Sequence, residues 1–225
     1  MMDGEKIDKV DDTKEVLKQQ IVSIASTSFS AYGIKTITMD EIAATAGISK
    51  RTLYQLFKDK EALLLACVKS RQKDMRCFVK EVLSETDNVL EVILRCYKYD
   101  IGQYHNTDRR FFEDIQKYPR VYALFTRGRE KDSSETLDFF RSGVKQGLFR
   151  DDVNFEIVNI LVKEQFNSLL NSNIYYKFPF LEVYESIMFT YLRGISTAKG
   201  LEKLESFIKE YREEQIGEKD KYNKL

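Results

Sequence analysis

The segment TMDEIAATAGISKRTLYQLFKDKEALL, residues 38–64, decides the fold of this chain. Thr38 is followed three residues later by Glu41, the spacing of a capping box, which satisfies two backbone amides at the start of a helix. Ser49 and Asp59 each precede another apolar-periodic stretch, and both side chains can accept from the backbone N–H groups of a first helical turn. The segment therefore predicts two short helices and the start of a long one, with tight turns between them.

The two short helices have one apolar face each and share a compact turn. Gly47 ends the first helix, and Ile48 follows it as an apolar residue expected to pack inward at the turn. The positions expected to face inward are apolar or small: Ile42, Ala43, Ala46, Ile48, Leu53 and Phe57. The outward positions of the second helix carry donors and hydroxyls: Lys50, Arg51, Thr52, Tyr54 and Gln55. This arrangement is typical of a helix-turn-helix, whose second helix fits the roughly 12 Å major groove of DNA.

Composition agrees with a helical protein. The chain has 225 residues, 43% of them hydrophobic and 32% charged, with only 2 Pro and 10 Gly. A chain of this length can bury a sizeable core in one or two domains, and so few Pro and Gly residues favour long helices. The longest apolar run, residues 62–68, falls far short of the roughly 18 residues of a membrane span. The acidic N-terminus lacks the apolar region of a secretory signal, and the odd number of cysteines, without CxxC spacing, indicates reduced thiols. We therefore expect a cytoplasmic protein with no membrane partner.

Charge is distributed unevenly, although the formal net charge is zero. Residues 13–60 carry seven bases against four acids, and four of the bases, Lys50, Arg51, Lys58 and Lys60, lie within eleven residues. A neutral average can therefore hide a short basic edge. By itself this edge is better explained as a solvated helix face.

Helical periodicity and capping residues divide the whole chain into helices. We predict helices over residues 14–32, 60–83, 89–104 and 120–146, over 154–171, 179–197 and 201–215, and from Thr107 or Asp108 to Tyr118, just before Pro119. Gly147 and Gly200 are expected to end or separate helices. The fold class is all-α, with a three-helix helix-turn-helix domain at residues 13–60 and a second helical domain at residues 61–215.

Residues 21–65 resemble the N-terminal domain of TetR-family repressors. The likeness rests on Phe29 and Gly33 at the end of the first helix and continues through Ile42-Ala43, Ala46-Gly47-Ile48-Ser49, Leu53-Tyr54, Phe57 and Lys60-Glu61. It covers about a fifth of the chain, and the remainder agrees with the family in length and helical texture. The resemblance implies a DNA-binding transcriptional regulator without enzymatic activity.

The resemblance also implies roles for individual residues in binding DNA. Lys50, Arg51 and Thr52 fall where the family's third helix reaches base edges, and Arg51 is the candidate for bidentate contact with guanine. Tyr54 and Thr38 correspond to hydroxyls that touch phosphate. Lys60 stands at a helix N-terminus, where the helix dipole also favours phosphate, and Lys58 is an auxiliary contact. The alternatives are that Tyr54 is an amphipathic core residue and that Thr38 acts only as a cap.

No pattern for catalysis, metal binding or a cofactor is present in the sequence. His105 is the one histidine, and it lies in a polar stretch that reads as a loop and helix cap. Neither a phosphate-binding GxxxxGK[ST] nor a GxGxxG motif occurs. We therefore predict no catalytic residues, no metal and no cofactor. Cys67, Cys77 and Cys96 are interpreted as core or surface thiols, with redox sensing as the alternative.

Aromatic residues are concentrated after residue 60, where 24 of the 28 Phe and Tyr residues lie. A pocket between helices would be lined by such side chains. The candidate ligand-binding residues are Tyr97, Tyr104, Phe111, Tyr118, Tyr122, Phe125 and Phe166. For each of them the alternative is an ordinary core position. By resemblance the ligand would be a small apolar or aromatic effector.

The resemblance implies a homodimer that binds a palindromic operator in double-stranded DNA. Pairing would use the helices at 154–171 and 179–197, through the apolar residues Val158, Leu161, Val162, Phe166, Leu169, Ile187, Phe189, Leu192 and Ile195. An effector that favours a dimer with wrongly spaced recognition helices would relieve repression. The rival functions are a helix-turn-helix that binds protein and a small all-helical enzyme.

Overall fold

The computed structural model describes residues 4–105, 107–127, 133–171 and 173–222. These ranges are helical apart from short connections and an isolated antiparallel bridge between Phe149 and Ser196, which confirms the predicted all-α fold. The helices, in chain order, are α1 (Gly4–Tyr32), α2 (Met39–Thr45), α3 (Lys50–Leu56), α4 (Lys60–Glu85), α5 (Val89–Tyr104), α6 (Arg109–Ile115), α7 (Pro119–Arg127), α8 (Ser133–Lys145), α9 (Phe155–Asn171), α10 (Phe180–Ile195) and α11 (Ala198–Tyr222). A 3-10 turn, Asn173–Tyr176, precedes α10. Within the described ranges, no helix combines the length and apolar character of a membrane span.

The chain packs as two compact units, each made of two stretches of sequence. The first unit comprises residues up to 77 together with 103–128, and the second comprises 78–102 together with 129–225. The helix-turn-helix belongs to the first unit, which α6 and α7 complete. These units are defined by packing, so the predicted functional domains, 13–60 and 61–215, stay a prediction.

The core of the first unit forms between α1, α2, α3 and α6. Ile21, Ala25 and Phe29 recur every four residues on α1, so they share one face, and all three are buried. Ile42 of α2 and Leu53 of α3 are buried in the same unit. The spacing of apolar residues on α1 therefore explains why this helix presents one continuous face to the core.

The core of the second unit is larger and rich in aromatic rings. It joins α5 and α8–α11, with Tyr97 stacked on Tyr184 and Phe140 stacked on Phe155 at ring-centroid distances of 6.1 and 5.1 Å. Ion pairs tie the outer surface of α11 to its neighbours, Lys98 with Glu214 and Arg193 with Glu205. The second unit is thus a helical bundle closed by α11.

Side chains also close the first turns of α5, α6 and α9, and Asp108 is one of the two predicted starts of its helix. Asn88 accepts from the Glu91 amide at 3.1 Å, Asp108 from the Arg110 amide at 2.8 Å, and Asn154 from the Ile157 amide at 3.1 Å. Pro119 begins α7, as its fixed φ favours. The predicted helix 120–146 falls on α7 and α8, and residues 128–132 between them lie outside the described residues.

The prediction for Gly200 was wrong. It was expected to separate two helices, but α11 already begins at Ala198 and continues to Tyr222, beyond the predicted end at 215. Thr197 caps this helix, accepting from the Gly200 amide at 3.1 Å. A Cβ at Gly200 would lie 2.1 Å from the Leu148 carbonyl oxygen. The glycine is therefore required by close packing against the chain after α8.

Gly200→Ala is expected to lower the free energy of unfolding by about 1–3 kcal/mol, because the added methyl group overlaps backbone and forces a shift. Gly102→Ala is the matched control, since that glycine is also helical and a Cβ there meets nothing within 4 Å. The control should gain up to about 1 kcal/mol from helix propensity. Urea denaturation of both variants measures the difference, and an equal loss in the two would contradict the packing role.

Candidate nucleic-acid interface

The turn between α2 and α3 fixes the angle of α3. The Gly47 amide donates to the Ala44 carbonyl at 3.1 Å, and the Ile48 amide donates to the Ala43 carbonyl at 3.0 Å. These paired bonds form a Schellman motif, and Gly47 supplies the positive φ, 66°, that it needs. The two helices are therefore joined by a hydrogen-bonded turn of defined geometry.

Side chains cap α2, α3 and α4 as predicted. At α2 the Glu41 amide donates to the Thr38 hydroxyl at 3.2 Å, while the Thr38 amide donates back to the Glu41 carboxylate at 2.7 Å. Ser49 accepts from the Thr52 amide at 3.0 Å, and Asp59 accepts from the Ala62 amide at 2.8 Å. The hydrogen bonds from the Thr38 backbone and hydroxyl lower the pKa of Glu41, so this box stays closed at neutral pH.

Burial separates α3 into an inner and an outer face. Leu53 has no exposed surface and Phe57 is 7% exposed. Thr52 and Leu56 are half-buried. The remaining side chains of the helix are exposed: Lys50, Arg51, Tyr54 and Gln55. Tyr54 keeps 49% of its surface exposed, which places it on the outer face and not in the core.

The four predicted bases have different surroundings. Arg51 and Lys58 are exposed. The Lys50 ammonium forms an ion pair with Asp40 of α2, and both side chains remain more than half exposed. Lys60 is half-buried, with its ammonium 5.7 Å from the centre of the Phe29 ring. Burial lowers the pKa of Lys60, against the attraction of Asp114 and Glu41.

The hydroxyl groups predicted to bind DNA also form hydrogen bonds within the chain. The Thr38 hydroxyl donates to the Glu41 carboxylate at 2.8 Å, and the Thr52 hydroxyl is 2.8 Å from that of Ser49. Both hydroxyls lie at the surface and hold their helices in place. All seven residues predicted to bind DNA thus lie on the helix-turn-helix or at the start of α4: residues 38, 50, 51, 52, 54, 58 and 60. Their part in binding stays a prediction.

Sequence reasoning missed Asp114, a carboxylate that is 5% exposed and lies on α6. Its Oδ2 accepts from the Lys35 amide at 2.7 Å, just before α2, and its Oδ1 pairs with the Lys117 ammonium at 2.7 Å. Seventy-nine residues separate Asp114 from Lys35. A single sequence contains no local signal for such a contact, apart from an acid at an apolar-facing position of a short helix.

The predicted ligand-binding aromatics do not gather in one unit. Tyr104, Phe111, Tyr118, Tyr122 and Phe125 belong to the first unit, whereas Tyr97 and Phe166 belong to the second. Tyr104 packs under the Arg71 guanidinium, 3.8 Å from its ring centre, and Phe111 meets Phe125 at 6.4 Å. In the second unit, Tyr97 meets Phe189 at 5.1 Å. The rings with described contacts thus have neighbours within their own unit, and a ligand-binding role stays a prediction for all seven residues.

The groups considered for catalysis, metal binding or redox chemistry are scattered. His105 is exposed at the end of α5. Cys67 is buried, and burial raises its pKa to about 11, so its thiol stays protonated. Cys77 is exposed and Cys96 is half-buried. Within the described part of the chain, no three His, Cys, Asp or Glu side chains are grouped as a metal site.

Comparison with known proteins agrees with this geometry. Residues 21–67 match the family model described as bacterial regulatory proteins of the tetR family. The chain is similar to the HTH-type transcriptional repressor KstR2 of Mycolicibacterium smegmatis, at 22% identity over 153 residues, 65% of this chain and 74% of the relative. It is also similar to the HTH-type transcriptional regulator YhgD of Bacillus subtilis, at 24% identity over 132 residues, 58% of this chain and 69% of the relative.

Solved structures share the fold over most of the chain. A gamma-butyrolactone receptor described as an ArpA-like protein superposes with a TM-score of 0.61 at 18% identity, over 90% of this chain and 99% of its own. The TetR family protein CprB from S. coelicolor A3(2) superposes with a TM-score of 0.61 at 20% identity, over 88% of this chain and 97% of its own. At these identities the likeness establishes a common fold.

Proposed function

We propose that this chain, whose residues 21–67 match the family model for bacterial regulatory proteins of the tetR family, is a DNA-binding regulator that represses transcription as a homodimer on a palindromic operator. In this proposal α3 enters the major groove of each half-site, and a small apolar or aromatic effector relieves repression. The observation that carries it is the outer face of α3, where Lys50, Arg51, Tyr54 and Gln55 stand exposed above a buried Leu53.

Base reading is assigned to the first turn of α3. Arg51 is exposed there, and a guanidinium can bind the O6 and N7 atoms of guanine with two hydrogen bonds. Lys50 shares the turn, but its ammonium must first leave Asp40. An exposed ion pair is worth about 0–1 kcal/mol, so DNA can displace Asp40 at small cost.

Phosphate binding is assigned to Tyr54 on the outer face of α3 and to Thr38, Lys58 and Lys60, which flank this helix on both sides. Such contacts position a protein on the duplex without reading its sequence. Lys60 sits in the first turn of α4, where unpaired backbone amides and the helix dipole add to the attraction for an anion. Thr52, which is half-buried on α3, would assist Lys50 and Arg51 in reaching base edges.

Pairing of two subunits is assigned to α9, and burial indicates which of its faces is used. Ile157, Ile160 and Leu161 are each 54% exposed, an unusual exposure for three neighbouring aliphatic side chains. Phe166 and Leu169 of the same helix, with Phe189, Leu192 and Ile195 of α10, are buried in the second unit's own core. The exposed stripe on α9 therefore supports a two-fold interface, while those buried residues support the bundle itself.

A dimer would explain how so few basic side chains can bind DNA specifically. Two copies of α3 related by two-fold symmetry would meet successive major-groove faces about 34–36 Å apart, or at a multiple of that distance. An effector that binds better to a dimer with a different spacing would lower operator affinity by that preference. The effector itself is proposed by analogy with the fold family, since DNA-binding relatives of this kind carry a helical second domain.

DNA binding is tested by selecting duplexes from a randomised library and measuring their affinity at two salt concentrations. Specific, salt-dependent binding to a palindromic sequence is expected, because each phosphate contact releases counterions. Retention of protein partners without salt-dependent binding to any duplex would favour the rival helix-turn-helix that binds protein. An enzyme would likewise show no sequence preference among the duplexes.

Arg51→Ala is expected to weaken binding to the selected duplex by roughly 1–3 kcal/mol and to relax the preference at one base position, because one bidentate contact is lost. Fluorescence anisotropy on duplexes with each single base change measures this. Arg76→Ala removes an equal charge from an exposed site on α4 and serves as the control. Equal weakening on every duplex would show that Arg51 contacts phosphate only.

Lys60→Ala is expected to weaken binding uniformly across sequences and to reduce the slope of log affinity against log salt by about 1, because one phosphate contact is lost. Lys69→Ala, at an exposed position further along α4, is the matched control. If the slope stays the same, Lys60 serves only to cover Phe29 and makes no phosphate contact.

Ile160→Glu combined with Leu161→Glu is expected to convert the dimer to monomers, since two buried carboxylates without partners cost several kcal/mol each. Sedimentation equilibrium measures the change, and the monomer should lose at least ten-fold in operator affinity. Glu156→Gln on the same helix controls for altered charge. A variant that remains dimeric would move the interface away from α9.

A further inference from the structure

We propose that Asp114 of α6 is a positioning residue for the recognition helix: its carboxylate holds the backbone before α2 and thereby sets the orientation in which α3 meets base edges. This inference rests on the proposed function, since it assigns a cause to the base reading by α3. It concerns the first unit alone, which contains all of the groups involved.

Two hydrogen bonds join α6 to its neighbours, one to the last turn of α1 and one to the connection between α1 and α2. At its start, the Asp108 amide donates to the Ser30 carbonyl at 2.7 Å. At its end, Asp114 accepts from the Lys35 amide at 2.7 Å. The helix also lies very close to this connection, since a Cβ on Gly33 would be 2.7 Å from the Arg110 Cβ. The last turn of α1 and the first part of the connection, residues 33–35, therefore lie against α6.

The Lys35 amide stands three residues before the Thr38 cap of α2. Residues 33–37 contain no helix or strand, and the acceptor for the Lys35 amide is supplied by Asp114 from a distant part of the chain. A shift of Lys35 would move Thr38 and α2, and the Schellman turn at Gly47 would pass the rotation to α3. Asp114 thus controls the recognition helix through a short series of hydrogen-bonded segments.

The charge of Asp114 is suited to this role. Burial alone would raise its pKa, but the Lys117 ammonium and the Lys35 amide outweigh burial and hold the pKa below its usual range. The group is therefore an anion at neutral pH, and an anionic acceptor makes a stronger hydrogen bond than a neutral one. The same charge attracts Lys60, at the other end of the helix-turn-helix. One buried carboxylate thus acts on both the entrance to α2 and the start of α4.

The loss of Asp114 should affect base reading more than general attraction to DNA. Phosphate contacts depend on charge near the duplex and tolerate small rotations, whereas base contacts require a fixed orientation. The ratio of affinities for a selected and an unselected duplex therefore separates a positioning role from a purely structural one. If a variant merely reduces the folded fraction, both affinities fall by the same factor and the ratio does not change.

The test uses three variants of the full chain. Asp114→Ala removes the acceptor, Asp114→Asn keeps a neutral acceptor of the same shape, and Lys117→Ala removes the ion pair while leaving the bond to Lys35. The probes are the duplex recovered from the randomised library and a duplex of the same composition in scrambled order. Fluorescence anisotropy gives the two affinities, and thermal melts followed by circular dichroism report the folded fraction.

The affinity ratio is expected to fall about ten-fold in Asp114→Ala, the discrimination lost when one bidentate base contact of α3 is misaligned. It should remain within about three-fold of the parent in Asp114→Asn and be unchanged in Lys117→Ala, with the salt slope unchanged in all three. A parental ratio in Asp114→Ala would overturn the proposal. So would an equal loss in Lys117→Ala, which would assign the effect to charge and not to the bond with Lys35.

Amide hydrogen exchange in the unmodified protein is a second test of the role of Asp114, and it does not depend on whether the alanine variant folds. The Lys35 amide should exchange far more slowly than in an unstructured peptide, and exchange at the peptide rate would overturn the proposal. If the unmodified protein prefers no duplex at all, the proposed function fails together with this inference. If the preference exists and Asp114→Ala keeps it, only the role of Asp114 fails.

Discussion

The burial of Leu53 on the inner face of α3 is the constraint on which the rest of this structure depends. A helix of seven residues is too short to be stable by itself in water, so its existence and its direction come from packing. Because Leu53 and Phe57 occupy the inner face, the residues between them in the helical period must face outward. The set of side chains offered to DNA is therefore a consequence of which side chains the core accepts.

The unit that contains the recognition helix is larger than the stretch of sequence that resembles a known family. Residues 103–127 return to it and add α6 and α7, so that Asp114 and Lys35 become neighbours. The family match ends at residue 67 and includes neither of these helices. If the orientation of α3 sets specificity, as proposed above, substitutions at positions far outside the matched region, such as Asp114, would alter operator preference without changing α3.

Most of the helix boundaries near residues 38–60 could be predicted because their causes are local. A cap at Ser49 or Asp59 acts on an amide three residues away, and the turn at Gly47 depends on one residue's φ. The errors have distant causes. Gly200 is needed by the Leu148 carbonyl, fifty-two residues earlier in the chain, and no local pattern distinguishes such a glycine from one that ends a helix. The division of α9 and α10 into core and exposed faces likewise depends on neighbours that apolar spacing alone does not identify.

The electrostatics of the interface support the proposal that this protein binds DNA with two subunits. The chain is neutral overall, and Lys50 and Lys60 already have acidic neighbours, Asp40 and Asp114. A single helix-turn-helix with these neighbours would attract a duplex only weakly, since few phosphates would be neutralised and salt would screen the remainder. In the proposed dimer, two such elements would bind as one, because the second would meet its half-site at a high effective concentration. Binding would then depend strongly on the distance between the two copies of α3, and a modest change of that distance would be enough to release the operator.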